Sequence, residues 1–306
     1  MELSIIIPIY NEERNISILY RELKKVLENL NKKYEIIFIN DGSTDKSEKI
    51  LNNLNDENIR TIHFRKNFGQ TAALDAGLKN SKGNIIITMD GDLQNDPKDI
   101  PRLIKKIEEG YDIVAGWRIN RKDSLSKRFI SGGAKILRKI ILNDKLHDSG
   151  CTLRAYKKEC IENLNLYGEM HRFIHVILKS KGFKITEIKV RHRKRAYGKT
   201  KYNFSRTLKS LLDMLLLKFW MSYSSRPIHI FGSLGLLTGF LGFIIAAYLT
   251  YIRIFNNQSI GDRPILLLAV LLIVIGTLFF MFGLLADILV KVYYKNEESY
   301  SIKSIS

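Results

Sequence analysis

Two long apolar stretches near the end of the chain constrain it most. Residues 228–252 contain no Lys, Arg, Asp or Glu, and residues 265–290 contain only Asp287. Roughly 20 apolar residues cross the hydrocarbon layer of a bilayer, so each stretch is long enough. An amphipathic helix packed on a soluble core shows a polar face at helical period, and neither stretch has one. Two transmembrane helices are therefore expected, at 228–252 and 265–290. The loop between them is short, with two Arg and one Asp. Residues 1–227 carry 44 basic and 27 acidic side chains, against 5 and 4 in residues 228–306. The positive-inside rule then puts the large N-terminal part and the tail 291–306 in the cytoplasm. Met1 to Ile9 is too short for a secretory signal. Asp287 lies close to one end of its span, where a carboxylate costs less than at the midplane.

With 45% hydrophobic residues the chain has ample material for a folded core. Its two cysteines exclude a disulfide scaffold. Residues 205–225 form a juxtamembrane segment in which Arg206, Lys209 and Lys218 flank a run of Leu. It reads equally as an interfacial helix on an anionic leaflet or as an amphipathic helix packed on the soluble domain. Gly232, Gly235, Gly239 and Gly242 give the first span a small-residue face. That face suits packing within one chain or pairing with a second copy, so a homo-oligomer is a candidate partner state.

Residues 1–204 read as one domain in which strands and helices alternate. Strands are expected at 3–8, 34–39, 59–64, 84–89, 112–115 and 183–190. Helices are expected from Asn11 as cap to about Leu30, and over 44–54, 71–80, 97–109, 127–141 and 172–179. Residues between the last two helices read as irregular. Such alternation predicts a mostly parallel, doubly wound α/β sheet, whose ligands bind beyond the carboxyl ends of strands. The polar clusters fall there: Tyr10 to Glu13, Asp41 to Asp45, and Asp90 to Asp96.

Asp90-Gly91-Asp92 follows a strand directly. Two carboxylates flanking a glycine suit one hard divalent cation shared with substrate phosphates, and Gln94 offers a third oxygen. A solvated acidic loop is the plain alternative. Asp41 at a strand tip suits hydrogen bonds from a base or ribose, and a helix cap within Asn40 to Asp45 is compatible with that. Lys179 to Lys209 holds 12 basic residues and one acid. Its Arg195 to Tyr202 segment suits a loop gripping phosphate. Nucleic acid would also accept this charge, but acids at strand ends and a membrane anchor argue against it. Asp148 and Glu169 either face a reacting centre or pair with cations. His171 and His175 lack the partners of a zinc site and read as structural.

Together these residues resemble the inverting glycosyltransferases of family two, with their A-type, Rossmann-like nucleotide-sugar fold. The elements that carry the resemblance are Pro8 to Glu13, Asn40 to Asp45, Asn67-Phe68-Gly69-Gln70, Met89 to Gln94 with Asp96-Pro97, Asp148 to Cys151, Glu169 to Arg172, and the arm from Arg195 to Tyr202. Asn40 departs from the usual first Asp of its motif. More narrowly the chain is similar to polyprenyl-phosphate glycosyltransferases, relatives of dolichyl-phosphate mannose synthase and bactoprenol glucosyltransferases with two C-terminal spans.

The resemblance implies transfer of one sugar, with inversion, from a nucleotide sugar to a polyprenyl phosphate. UDP-glucose is the expected donor, ahead of UDP-GlcNAc and GDP-mannose. It implies that Pro8, Tyr10, Glu12, Asp41 and Asp90 bind the nucleotide. Asp90, Asp92 and Gln94 would hold Mg²⁺ or Mn²⁺. Arg118, Arg128, Arg195 and Lys201 would neutralise donor and acceptor phosphates, and Asp148 is the candidate base. A processive polysaccharide synthase is the second reading, but two spans are few for a channel and no QxxRW motif occurs. A non-enzymatic basic membrane adaptor is the third.

Overall fold

The computed structural model of the protein describes residues 1–119, 137, 139, 141–144, 146–162, 164–166, 168–197, 205–223, 226–261 and 264–293. The chain divides into two units, Met1–Leu215 and Leu216–Ser306.

The first unit is built on a seven-stranded sheet. Its strands are β1 (Leu3–Ile9), β2 (Tyr34–Asn40), β3 (Ile59–His63), β4 (Ile85–Thr88), β5 (Ile113–Arg118), β6 (Arg154–Lys157) and β7 (Ile185–Val190), in the order β3-β2-β1-β4-β6-β5-β7. β1 is almost continuously apolar and buried except at half-buried Pro8, as expected of a strand covered on both faces. It pairs in parallel with β2 and β4. The helices are α1 (Ile16–Glu28), α2 (Ser47–Asn52), α3 (Gln70–Lys79), α4 (Ile100–Glu108) and α5 (Ile174–Ser180). In α1, Ile16, Leu19, Leu23 and Leu27 recur at helical spacing and are all buried. They join Ile5, Ile7 and Ile9 of β1 and Leu103, Ile104 and Ile107 of α4 in one core.

Three expectations are corrected. α1 begins at Ile16, not at Asn11, which sits at φ 54° and accepts from the Thr44 backbone N–H. Its side chain ties two strand-end loops together instead of capping a helix. Pro97 opens a short 3-10 turn, Pro97–Asp99, before α4 starts. The stretch read as irregular contains β6, which runs antiparallel between β4 and β5. Residues 127–141, expected helical, lie mostly outside the described residues.

Helix α6 (Ser205–Tyr223) follows. The second unit holds α7 (Ile228–Phe255) and α8 (Pro264–Tyr293). Both are long and apolar enough to cross a membrane, with mean hydropathy 2.1 and 3.1 over their most apolar windows. The two helices pack through glycines. A Cβ on Gly235 would lie 2.6 Å from the Gly276 carbonyl oxygen, and one on Gly276 would lie 2.5 Å from the Gly239 nitrogen. The small-residue face of α7 thus meets α8 of the same chain.

Candidate active site

The site forms where β1, β2 and β4 end side by side. Pro8 pairs in register with Ile39 of β2, and Tyr10 and Glu12 continue beyond the strand, partly buried. β4 leads through Met89 into Asp90-Gly91-Asp92. Gly91 is required by close approach: a Cβ there would lie 2.4 Å from Ile9 Cδ1 and 3.2 Å from the Pro8 carbonyl oxygen. The acidic loop is thereby pressed against the end of β1. Leu93 then turns through φ 63° and buries its side chain, which sets the reversal after Asp92.

The two carboxylates have different company. Asp90 accepts from Gln70 Nε2 at 2.8 Å and from the Thr152 hydroxyl. Burial, and then the facing charge of Asp92, push its carboxyl up to about 6. Asp92 is buried; its Oδ2 meets Arg195 Nη2 at 2.6 Å and its Oδ1 accepts from the Gln94 backbone N–H at 3.1 Å. Arg195 also reaches Glu12, at 3.6 Å. A guanidinium between two carboxylates supplies there the positive charge that like charges in a confined space demand.

That arginine belongs to an arm laid along the acidic loop. Arg191 donates its backbone N–H to Asp99, His192 bridges to Asn95, and the Arg193 N–H donates to the Gln94 carbonyl. Arg193 pairs with Asp96 at 2.8 Å and with Glu22 at 2.7 Å. The guanidinium of Arg14 stands over the Tyr197 ring. The side chain of Gln94 lies against this arm, its Nε2 3.4 Å from His192 and 3.5 Å from the Arg193 carbonyl.

Arg118 at the end of β5 forms a two-pronged pair with Asp148, Nε to Oδ2 at 2.6 Å and Nη2 to Oδ1 at 2.9 Å. Burial acts against the Arg118 charge; the bonds and charge of Asp148 outweigh it, with Asp90 contributing, and the guanidinium is held protonated. Asp148, expected as a base, thus has both oxygens on a cation, a geometry that suits holding Arg118 in place. The loop behind it is fixed by a buried cluster in which Asp144 accepts from Ser149 Oγ at 2.5 Å and pairs with His175 Nε2 at 3.1 Å. His175, read from the sequence as structural rather than metal-binding, is buried here against Asp144. His171 bonds Thr71 at 2.6 Å, and Glu169 pairs with Arg172 at 3.2 Å.

Asp41, expected at the nucleotide, also makes bonds within the protein. Its buried carboxylate accepts from Asn67 Nδ2 at 3.0 Å, from the Phe68 N–H at 2.7 Å and from the Gly69 N–H at 3.0 Å. The preceding Asn40 is bonded to His63 and to the Ser43 N–H. Asp41 thus gathers the turn that starts α3. Arg128 and Lys201 lie outside the described residues. Gln70 and Thr152 were missed by sequence reasoning. Gln70 stood within a quoted motif, but nothing in its spacing pointed at Asp90.

Residues 4–164 match the family model described as glycosyl transferase family 2. The chain belongs to that family. Among its relatives is the dodecaprenyl-phosphate galacturonate synthase of Rhizobium johnstonii, 39% identical over 98% of this chain and 90% of that protein. Another is the undecaprenyl-phosphate 4-deoxy-4-formamido-L-arabinose transferase of Proteus mirabilis, 33% identical over 95% and 89%. Among solved structures, glucosyl-3-phosphoglycerate synthase from Mycobacterium tuberculosis, crystallised with Mn²⁺, UDP and glucosyl-3-phosphoglycerate, matches with a TM-score of 0.57. It is 17% identical, over 73% of this chain and 82% of that one. The same enzyme with Mg²⁺ and UDP gives 0.56. At that identity the likeness speaks for the fold, and the family two sheet is the one described above.

The donor set fits a divalent cation of the kind that phosphates help to hold. Among the described residues no three His, Cys, Asp or Glu side chains cluster as a complete metal cage. A carboxylate pair beside a guanidinium suits a cation whose remaining ligands come from substrate phosphates.

Proposed function

We propose that this glycosyltransferase moves one sugar from a nucleotide sugar to a polyprenyl phosphate, inverting the anomeric carbon, at the cytoplasmic face of a membrane anchored by α7 and α8. The observation that carries the reading is the Asp90-Gly91-Asp92 loop at the end of β4, with Arg118 and Arg195 converging on its acids. Similarity to polyprenyl-phosphate sugar transferases over nearly the whole chain supports it, including the part that holds the apolar helices. Exposed Leu212, Leu215, Leu216 and Trp220 on α6 support an interfacial role for residues 205–225.

The relatives are named for galacturonate and 4-deoxy-4-formamido-L-arabinose, and neither name carries glucose. We therefore move the expected donor from UDP-glucose to a nucleotide-linked uronate. A carboxylate on the sugar also suits a soluble part with 17 more basic than acidic residues.

The acceptor phosphate is an anion at neutral pH and attacks the anomeric carbon without prior loss of a proton. The new bond forms to a phosphate oxygen while the bond from the anomeric carbon to the nucleotide's β-phosphate oxygen breaks. Its electron pair stays on that oxygen. A divalent cation held by Asp90 and Asp92, with Gln94 nearby, supplies Lewis-acid neutralisation of the leaving diphosphate when bound. Arg195 and Arg118 add fixed positive charge around the reacting phosphates. Tyr10, Pro8 and Glu12 line the nucleotide side of the site. Asp148 acts through Arg118 and needs no proton to do so.

The test is a donor panel. Full-length protein in detergent receives polyprenyl phosphate, Mg²⁺ or Mn²⁺, and UDP-galacturonate, UDP-glucuronate, UDP-4-deoxy-4-formamido-L-arabinose or UDP-glucose. One donor is expected to yield an extractable sugar-phosphate lipid, with at least a hundredfold loss in Asp92→Ala and in chelator. Transfer from UDP-glucose alone would restore the first expectation. Folded protein that binds no nucleotide would leave the adaptor reading.

A further inference from the structure

The acids of the β4 loop are held by two different kinds of partner. Asp92 is bonded by a guanidinium, whereas the hydrogen-bond donors to Asp90 are uncharged, the amide of Gln70 and the hydroxyl of Thr152, with Arg118 and Arg195 acting on it only as nearby charges. The amide is the first side chain of α3, and what fixes the start of α3 is Asp41. Three donors from consecutive residues, Asn67 Nδ2, Phe68 N–H and Gly69 N–H, end on its carboxylate at 2.7 to 3.0 Å. Gly69 enters the helix at φ 94°, a turn that an ordinary residue resists. Charge-assisted bonds to a buried anion are strong enough to hold such a turn in one conformation. From Asp41 to Asp90 the path is continuous: carboxylate, turn, first helical residue, amide, carboxylate.

We propose that Gln70 and Asp41 are positioning residues for Asp90, acting in series. Asp41 sets the Asn67–Gly69 turn, and the turn delivers the Gln70 amide to Asp90. A neutral donor orients Asp90 without cancelling its charge, which stays available for a cation. The arrangement repeats what partners of metal ligands do elsewhere: they fix the ligand, and their loss weakens the metal without removing it. The proposal rests on Asp90 and Asp92 being the metal carboxylates. It assigns Asp41 a task other than touching the base or ribose.

The experiment is Mn²⁺ binding to the full-length protein in detergent, read by electron paramagnetic resonance, with and without UDP. Asp92→Ala, Gln70→Leu, Asp41→Asn and the double variant are compared with wild type, and melting temperatures check the fold. Gln70→Leu is expected to weaken Mn²⁺ binding about tenfold with the melting temperature unmoved. Asp41→Asn should shift it in the same direction, and the double variant should bind no worse than the weaker single one, since the two residues share one path. Where Asp41→Asn does not fold, Asn67→Ala removes one of the three donors and takes its place.

Wild-type Mn²⁺ affinity in Gln70→Leu overturns the proposal. So does a double variant whose losses multiply. Unchanged Mn²⁺ affinity with weakened UDP binding in Asp41→Asn gives that residue to the nucleotide and also overturns it. Failure of the underlying metal reading looks different: wild type then binds no Mn²⁺, or Asp92→Ala binds it as wild type does.

Discussion

The strand-end site and the membrane hairpin both depend on close approach, but they achieve it by opposite means. At the site, charge does the work. Asp92 meets Arg195 from 103 residues away, and Asp148 meets Arg118 from 30. In the hairpin, size does the work, and α7 and α8 meet because Gly235 and Gly276 carry no side chain. Charged partners can be exchanged for ligands, and a site has to do that. A glycine contact has nothing to exchange and serves only to hold. Damage to the first region should therefore read out in turnover, and damage to the second in stability.

The sharpest way to break that division lies at Arg118. Asp148→Asn removes the fork that aims it, and we expect kcat to fall about a hundredfold, the scale of a misplaced reacting group. Because Asp148 accepts no proton in this mechanism, the shape of the pH–rate profile should stay as in wild type. A lost basic limb would return Asp148 to the role of base.

The hairpin comes next. Gly276→Leu forces side-chain atoms into the backbone of α7 and should destabilise the helix pair by about 1–3 kcal/mol, with turnover per folded molecule kept. Gly239→Ala is the internal control, since the nearest atom to its Cβ is 4.0 Å away. There alanine should be neutral or stabilising by up to about 1 kcal/mol. Unfolding in mixed micelles measures both, and an equal penalty at the two positions would refute the seam.

The smallest effect concerns the cluster behind Asp148. Burial opposes the Asp144 charge, but His175, Ser149 and the Leu146 N–H outweigh it and hold the carboxyl well below its usual range. A depressed folded value contributes stability above the unfolded pKa of about 3.9, lost as pH falls below it. Asp144→Asn should cost about 1–3 kcal/mol at pH 7 and converge with wild type on acidification. Parallel curves from pH 7 to pH 3 would contradict this.

What was legible in the sequence follows from range. The carboxylates of the β4 loop, the parallel strands and the two apolar helices announce themselves within a few residues of one another. β6 did not, because Arg-Ala-Tyr-Lys over 154–157 is a four-residue strand without a period to read. Thr152 reached Asp90 only through that strand. Asp41 reads as a ligand-binding acid because it ends a strand; that its oxygens also accept from residues 26 to 28 positions later is a fact of folding. The glycines of α7 suit close helix contact, and only the fold shows that Gly276 of the same chain meets them.

The antiparallel insertion of β6 has a consequence in time. β5 ends at Arg118, yet both strands that border it, β6 and β7, are made later and end at Lys157 and Val190. During synthesis at about 5–20 residues per second, β5 waits about 4–14 s before its last neighbour exists. For about the first 2–8 s, until β6 is complete, Ile113 to Arg118 is a newborn strand with two open edges, and it keeps one open edge until β7 exists. The nascent chain is then most exposed to wrong pairing, and the interval lengthens with any pause of the ribosome between codons 119 and 190.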